Sequence, residues 1–465
     1  MANHSHNQKR KPKQKADELQ VPQLDALKQL NLNAAGLDIG DDEIYAAVPE
    51  GRDTVSVKIF KTFTVDLYAL ADWLKACQVD TVAMESTGVY WIPIYEILEE
   101  RGFEVYLVNA RHLKNVTGKK TDILDCQWIQ QLHTYGLLRA SFRPPEDICA
   151  VRALVRHRHN MIESSTREIQ HMQKALQQMN VKLTNVLSDL TGETGMKIIR
   201  DIVAGERDPH QLARHRNNHC AKSEDEIAEA LRGHYKPEHV FVLRQAVETY
   251  DFFRQQIKAC DTELEKRYAA FESQVDLAEK PLSPPKHAPR KSGRHTPEFN
   301  LREYLYQMTG VDLTRVDGLE ALTVQEVIAH TGVDMSPWPT VKHFTSWLTL
   351  CPHNDKTGGK IIKSHTRKSQ NRAAAALRMA AQSLVHSQSA LGSYCRHMQA
   401  KLGKAEGITA TAHKLARIIY TMLKHRTEYQ YLDADQYEEQ VRERAVKNLK
   451  RKAQQLGFDL VPTAT

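Results

Sequence analysis

From Ala34 onward the chain alternates between short runs of β-type patterning and longer runs with helical spacing. AAGLDIG, EIYAAV and VSVKIFKTF read as three strands in succession. VDLYALADWLKAC then places Leu67, Leu70, Ala71 and Leu74 on one helical face. TVAMES reads as a fourth strand, VYWIPIYEILEERG as a helix stopped at Gly102, and EVYLVN as a fifth strand. TDILDCQWIQQLHTYG closes the series with another helix, whose apolar stripe runs through Trp128, Ile129 and Leu132. Strands first, then strand–helix alternation, predict an α/β domain over 31–148.

The rhythm changes after residue 148. Val151, Leu154, Val155, Ile162, Ile169, Met172, Leu176 and Met179 mark one long amphipathic helix. Ala246, Tyr250, Phe253, Ile257, Cys260 and Leu264, spaced alternately four and three apart, mark a second with a coiled-coil seam. Two such helices within 149–275 form an antiparallel hairpin, an oligomerisation arm or a plain helical subdomain. PLSPPKHAPRKSGRHTP, with five prolines and no acid, reads as the core of a basic linker over 276–299. An all-α domain is expected over 300–430 and a charged helical tail over 431–465.

Composition sharpens this outline. The 465 residues carry 64 Lys+Arg against 57 Asp+Glu, a surplus of +7, modest for a chain too long for one domain. The surplus is local, because the stretch Lys356–Ala405 holds ten Lys/Arg and no Asp or Glu. A solvated helix face normally mixes signs, so one-sided charge over this length favours a phosphate-backbone surface. Residues 1–30 begin with a basic segment that reads as a disordered tail or a phosphate-binding arm. No apolar run is long enough for a membrane span, and the amino terminus lacks a signal-peptide pattern. Seven scattered cysteines without a C-x-x-C pair read as reduced thiols, with neither a disulfide framework nor a zinc site.

Four acids of the α/β domain stand out by position. Asp38 and Glu85 close predicted strands, while Asp122 and Asp125 lie three apart on one face of a predicted helix. Carboxylates so placed are costly unless compensated, and divalent cations held by oxygen ligands compensate them. Two such ions about 4 Å apart can clamp the attacking and leaving oxygens of a phosphodiester. Singly, each acid is ordinary turn or surface chemistry; the ordered set is more specific. Arg111, Lys119 and Lys120 nearby suit a phosphate-bearing substrate.

This acidic order resembles the RuvC-like branch of the RNase H fold. AAGLDIG, MESTGVYW and VNARHLKNVTGKKTDILDCQWI resemble the amino-terminal domain of DEDD-type insertion-sequence transposases of the IS110/IS1111 family, related to the Piv/MooV invertases. FTSWLTLCPHNDKTGGK and HTRKSQNRAAAALRMAAQSL resemble that family's second conserved domain. The resemblance implies that Asp38, Glu85, Asp122 and Asp125 are catalytic metal ligands for Mg²⁺ or Mn²⁺. It further implies DNA as substrate, a structured guide (bridge) RNA, dimers paired into a tetramer, and bacterial cytoplasmic action on nucleoid DNA. No membrane partner is expected.

In the second domain, VDGLEALTVQEVIAHTG resembles a helix-hairpin-helix element, whose turn can offer backbone N–H groups to a phosphate. KTGGKIIKSHTRKSQNR reads as a phosphate-binding loop, with Lys360, Lys363, Arg367, Lys368 and Arg372 as its cations and Arg378 on the following helix edge. Its paired glycines permit close approach to a ligand. In the resembled family a nucleophilic serine precedes the glycine, where this chain has Thr357. Threonine keeps the hydroxyl but adds a β-methyl that stiffens χ1 and crowds an in-line approach. Thr357 therefore serves as nucleophile, or Ser364 replaces it, or this copy is impaired. The rival readings are a RuvC-like endonuclease or junction resolvase using water, and a non-catalytic nucleic-acid-binding protein.

Overall fold

The computed structural model describes residues 28–86, 88–109, 122–286, 295–366, 371–431 and 433–461. The chain divides into two compact units, 1–143 and 144–465.

The first unit is built on a five-stranded sheet: β1 (Ala34–Ile39), β2 (Glu43–Ala47), β3 (Val57–Lys61), β4 (Thr81–Glu85) and β5 (Glu104–Val108). Its order is β3-β2-β1-β4-β5. Two antiparallel hairpin pairings join β1, β2 and β3, while β1, β4 and β5 run parallel. This mixed sheet with flanking helices is an RNase H-like α/β arrangement. Helices α1 (Thr64–Ala76) and α2 (Trp91–Glu100) cover one face. There Leu70, Leu74, Ile94 and Leu98 share a core with Leu37, Ile44, Val82 and Met84. Helix α3 (Asp122–Thr134) is amphipathic about Cys126 and Ile129, and Ile129 joins Ala83 and Val108 in a separate core.

Strand alternation then decides which residues face α3. Leu37 and Ile39 enter the α1/α2 core, so Gly36 and Asp38 point the other way. On β4, Val82 and Met84 do likewise, leaving Ala83 and Glu85 on the opposite face. Gly36 lets α3 approach closely: an added Cβ would lie 2.3 Å from the Gln130 backbone nitrogen and 2.4 Å from the Cys126 carbonyl oxygen. Gln130 also donates its side-chain N–H to the Ala34 carbonyl, 3.3 Å away.

The second unit contains two 33-residue helices, α4 (Glu146–Gln178) and α5 (Pro237–Ala269). Arg158 near the start of α4 pairs with Asp261 near the end of α5. Further along, Ile169 and Met172 share a core with Val247 and Tyr250. The two helices are therefore antiparallel. Their buried faces differ in detail from the sequence expectation. Leu154 and Ile162 are only partly buried, whereas Arg158 and Ser165 are buried on α4. Phe253 is likewise only partly buried on α5, where Asp261 is buried. Charge is tolerated there because guanidinium and carboxylate satisfy one another.

The carboxyl-terminal part is mainly helical: α6 (Leu301–Thr309), α7 (Ala321–Thr331), α8 (Val341–Trp347), α9 (Arg372–Ser383), α10 (Ala390–Leu402), α11 (Lys404–His425) and α12 (Ala434–Gln455). It is not all-α. Residues Pro352–Thr357 and Lys360–Thr366, expected as a loop, form an antiparallel hairpin, β6–β7. Gly358 and Gly359 have φ of 54° and 79°, so the paired glycines make its two-residue turn, which requires left-handed backbone. Before α7, Gly318 packs where a Cβ would meet Leu384 Cγ at 2.9 Å and the Ala380 carbonyl at 3.0 Å. The described ends of the Pro-rich segment are tethered. Lys286 bonds Asp317 at 2.6 Å and lies over the Tyr431 ring, and the His295 carbonyl accepts from Arg158.

Candidate metal centre and nucleophile hairpin

Three of the four predicted acids come together. Each of Asp38, Asp122 and Asp125 offers one carboxylate oxygen, and these oxygens all lie within 4.8 Å of one another. β1 supplies Asp38 beside its carboxyl end. The first turn of α3 supplies Asp122 and Asp125, where unpaired backbone N–H groups favour negative charge. Gly36, two residues before Asp38 on the same strand face, sets how near that helix comes. Glu85 is not one of this close set. The parallel register pairs Leu37 with Met84, which puts Glu85 alongside Asp38 at the ends of neighbouring strands, facing α3 as Asp38 does.

The local field is negative. Burial pushes the Cys126 thiol up to about 12, with Asp38 and Asp125 adding to the effect. Burial also raises the Tyr45 phenol, followed by its hydrogen bond to Glu43 and by the charges of Glu43 and Asp122. Three hard carboxylate oxygens at this spacing, partly open to solvent, fit a divalent cation of the Mg²⁺ or Mn²⁺ type. No soft ligand belongs to the set, so its chemistry does not suit zinc or copper thiolate binding.

In the second unit the hairpin places the two hydroxyls on different faces. Its register pairs Thr357 with Lys360, Asp355 with Lys363 and Asn354 with Ser364, with an irregularity between Asp355 and Lys356. Ile362 is the extra residue, so alternation along β7 is interrupted there. Thr357 consequently shares a face with Asp355, Lys360 and Lys363, whereas Ser364 lies on the other face with Asn354 and Lys356. The contact of His353 with His365, at 5.4 Å between centroids, fits this register. Thr357 and Ser364 are both exposed.

Arg372 opens α9 beside its cap, where Asn371 accepts from the Ala374 N–H at 3.1 Å, and Arg378 is half-buried. Arg372 has company that sequence reasoning missed. Burial lowers the Arg156 pKa, helped by the neighbouring charges of Arg152 and Arg372. Arg156 Nη2 lies 3.2 Å from His330 Nε2, whose Nδ1 donates to the Glu326 carbonyl at 2.8 Å. The signal was an R-x-x-x-R pair on one face of α4. Lys119, Lys120, Arg111, Arg367 and Lys368 lie outside the described residues, as do the first 27. All seven cysteines are free. Among the described residues no helix is long and apolar enough to cross a membrane.

No curated protein matches the chain. Two family models do: residues 35–181 match a transposase model, DEDD_Tnp_IS110. Residues 310–396 match the model described as Transposase IS116/IS110/IS902 family. The first spans the α/β sheet from Ala35 onward with its acids, the second the glycine turn and α9, and together they cover just over half of the sequence. The chain belongs to the IS110 family of DEDD transposases, DNA-acting recombination enzymes.

Proposed function

We propose that this transposase cuts and rejoins DNA strands by metal-dependent transesterification, with a protein hydroxyl as nucleophile. The observation that carries the reading is the convergence of Asp38, Asp122 and Asp125. These residues, with Glu85 beside Asp38, hold Mg²⁺ or Mn²⁺. A divalent cation there supplies charge neutralisation at the phosphate and favours the ionised form of an attacking hydroxyl. Thr357 is the preferred nucleophile because Lys360 and Lys363 share its face and can receive phosphate oxygens. Its Oγ1–H loses its proton as the oxygen attacks phosphorus. A protein–phosphate ester forms, one P–O bond to deoxyribose breaks, and the released sugar oxygen takes up a proton. Attack by a sugar hydroxyl of another strand reverses the exchange, so the ester count is conserved.

Lys119, Lys120, Arg367, Lys368, Arg372 and Arg378 belong to the nucleic-acid surface in this reading, as does the helix-hairpin-helix-like turn before α7. A structured guide RNA, and assembly as dimers or a tetramer with α4 and α5 as a coiled-coil arm, complete it. Incubation with element-end DNA, Mg²⁺ and flank-derived RNA, followed by denaturation, should leave DNA attached to protein. Loss of the adduct in Thr357→Ala but not Ser364→Ala assigns the nucleophile. Cleaved DNA without an adduct would instead indicate water as the nucleophile, as in a junction resolvase. Asp122→Ala retaining full activity would remove the metal centre from the mechanism.

A further inference from the structure

A cluster of arginines gathers where the arm begins. Ile148, Val151 and Val155 turn inward on α4, and Arg152 and Arg156, four apart, share a neighbouring face. The end of α7 abuts the start of α4, since a Cβ on Gly332 would lie 3.9 Å from both Ile148 and Pro145. That packing brings His330 to Arg156, whose Nη2 stands 3.2 Å from the His330 Nε2. Arg372, the first residue of α9, is near enough for its charge to act on Arg156, His330 and Glu326 alike. Three helices far apart in sequence thus bring three guanidinium groups together.

The described residues offset little of that charge. None of the three arginines forms an ion pair among them. Arg152 donates to the Cys149 sulfur at 3.3 Å and Arg156 to His330, both neutral acceptors. His330 Nδ1 donates to the Glu326 carbonyl, which leaves Nε2 to accept, and burial holds its pKa down to about 4. The ring therefore aims Arg156 without changing the charge balance. Among the described residues Glu326 is the carboxylate that acts on Arg156, and burial raises its pKa against the pull of Arg372, His159 and Arg156. Like charges four apart on a helix and partly desolvated cost stability until an anion joins them. The anion has access, because Arg156 is exposed and Arg152 and Arg372 are half-buried. Guanidinium forks match the oxygens of a phosphate. Arg372 also opens the helix that follows the β6–β7 hairpin, so a strand held here is held by the element that carries Thr357.

We propose that Arg152, Arg156 and Arg372 form a phosphodiester-binding site, through which the base of the arm grips the backbone of a nucleic acid. The nature of the partner rests on the transposase reading, but the site needs neither the metal nor the nucleophile. It is therefore tested by equilibrium binding in EDTA, where a missing protein–DNA adduct would count against the catalytic reading alone. Fluorescence anisotropy of the full-length protein, with labelled element-end duplex DNA and separately with flank-derived RNA, is followed from about 0.05 to 0.3 M salt. Arg152→Gln and Arg156→Gln should each weaken binding of at least one probe about tenfold at the low-salt end. The slope of log K against log salt should become shallower by about 1. The probe affected names the source of the phosphate. Arg156→Lys should restore the slope, because it returns the charge. Relief of repulsion should leave the Tm of Arg156→Gln unchanged or raised. Arg167→Gln is the control: it removes an exposed arginine of α4 about 16 Å further along and should leave the slope as it was. Unchanged slopes for Arg152→Gln and Arg156→Gln with both probes would overturn the proposal, even if Arg372→Gln weakened binding. So would an equal effect of Arg167→Gln, which would show dependence on overall charge only. A drop in Tm of more than about 3 °C in Arg156→Gln would also overturn it, by marking the cluster as structural.

Discussion

Gly36→Ala is the smallest change that should reach the candidate metal centre without touching a carboxylate. The added Cβ would stand 2.3 Å from the Gln130 nitrogen, 2.4 Å from the Cys126 oxygen and 2.8 Å from the Gln130 Cα. All three are backbone atoms of α3, so no side chain can swing aside. Ordinary contact begins near 3.4 Å, which means that α3 must retreat from β1 by about 1 Å. Overpacking of this kind costs roughly 1–3 kcal/mol. For a unit of this size that is a fall in Tm on the order of 5–10 °C.

The same retreat moves Asp122 and Asp125 away from Asp38, because the pair rides on α3 and Asp38 on β1. A displacement of about 1 Å at a reacting centre can cost on the order of 100-fold in rate. Thermal unfolding and calorimetric titration with Mn²⁺ should therefore both report the change, with weaker Mn²⁺ binding than in the unaltered chain. Gly51→Ala is the control: an added Cβ meets nothing within 4 Å, although its φ of +80° brings its own strain. An unchanged Tm together with unchanged Mn²⁺ affinity in Gly36→Ala would refute the claim that this glycine sets the spacing of the acids.

Asp261→Ala should destabilise the second unit by about 3–5 kcal/mol in urea unfolding followed by helical circular dichroism, since it strands the buried Arg158 guanidinium. Replacing both partners with Met and Leu should recover most of that loss. His133, 1% exposed and 2.8 Å from Thr81 Oγ1, has its pKa lowered by burial to about 4. The unfolded chain, titrating near 6.5, takes up the proton first, so this contribution is complete above pH 6.5 and is lost as pH falls towards 4. The limiting slope is about 1.4 kcal/mol per pH unit, and His133→Gln should flatten it in unfolding measured from pH 7 to 4. Thr357→Ser should keep or raise adduct formation, because it retains the hydroxyl and removes the β-methyl, while Thr357→Ala should abolish the adduct on denaturing gels.

The strands and their acids were legible because β-patterning and helical spacing are local signals. All five strands of the α/β unit lie within the runs read from the sequence, and the face of α1 buries Leu67, Leu70, Ala71 and Leu74 as predicted. The buried face of α4 was less legible. Apolar counting passes over charged residues, yet Arg158 is buried because Asp261, 103 residues away, completes it. Pairing over that distance leaves no mark in a local window. The β6–β7 hairpin was missed for a related reason. Both strands are rich in Lys, His and polar residues and carry almost no buried surface, so neither shows alternation of apolar and polar positions. The Gly-Gly dipeptide was the available signal, since two consecutive left-handed residues between short runs are a hairpin turn.

That hairpin also changes how the modest surplus of +7 is understood. The three lysines of the hairpin do not form a uniform basic patch, because a pleated ribbon sorts its side chains between two faces. Lys360 and Lys363 fall on one side with Thr357, whereas Lys356 falls on the other with Ser364. In an uninterrupted register Ser364 would have shared the face of Lys360, and the sequence alone could not rank the two hydroxyls. The extra residue at Ile362 reverses that parity and brings Lys363 round to Thr357 instead. A phosphate approaching Thr357 therefore meets Lys360 and Lys363 on its own face, with Asp355 opposite Lys363, and one approaching Ser364 meets Lys356 instead. The proposed preference for Thr357 thus rests on register, a property that residue composition and charge counting do not contain.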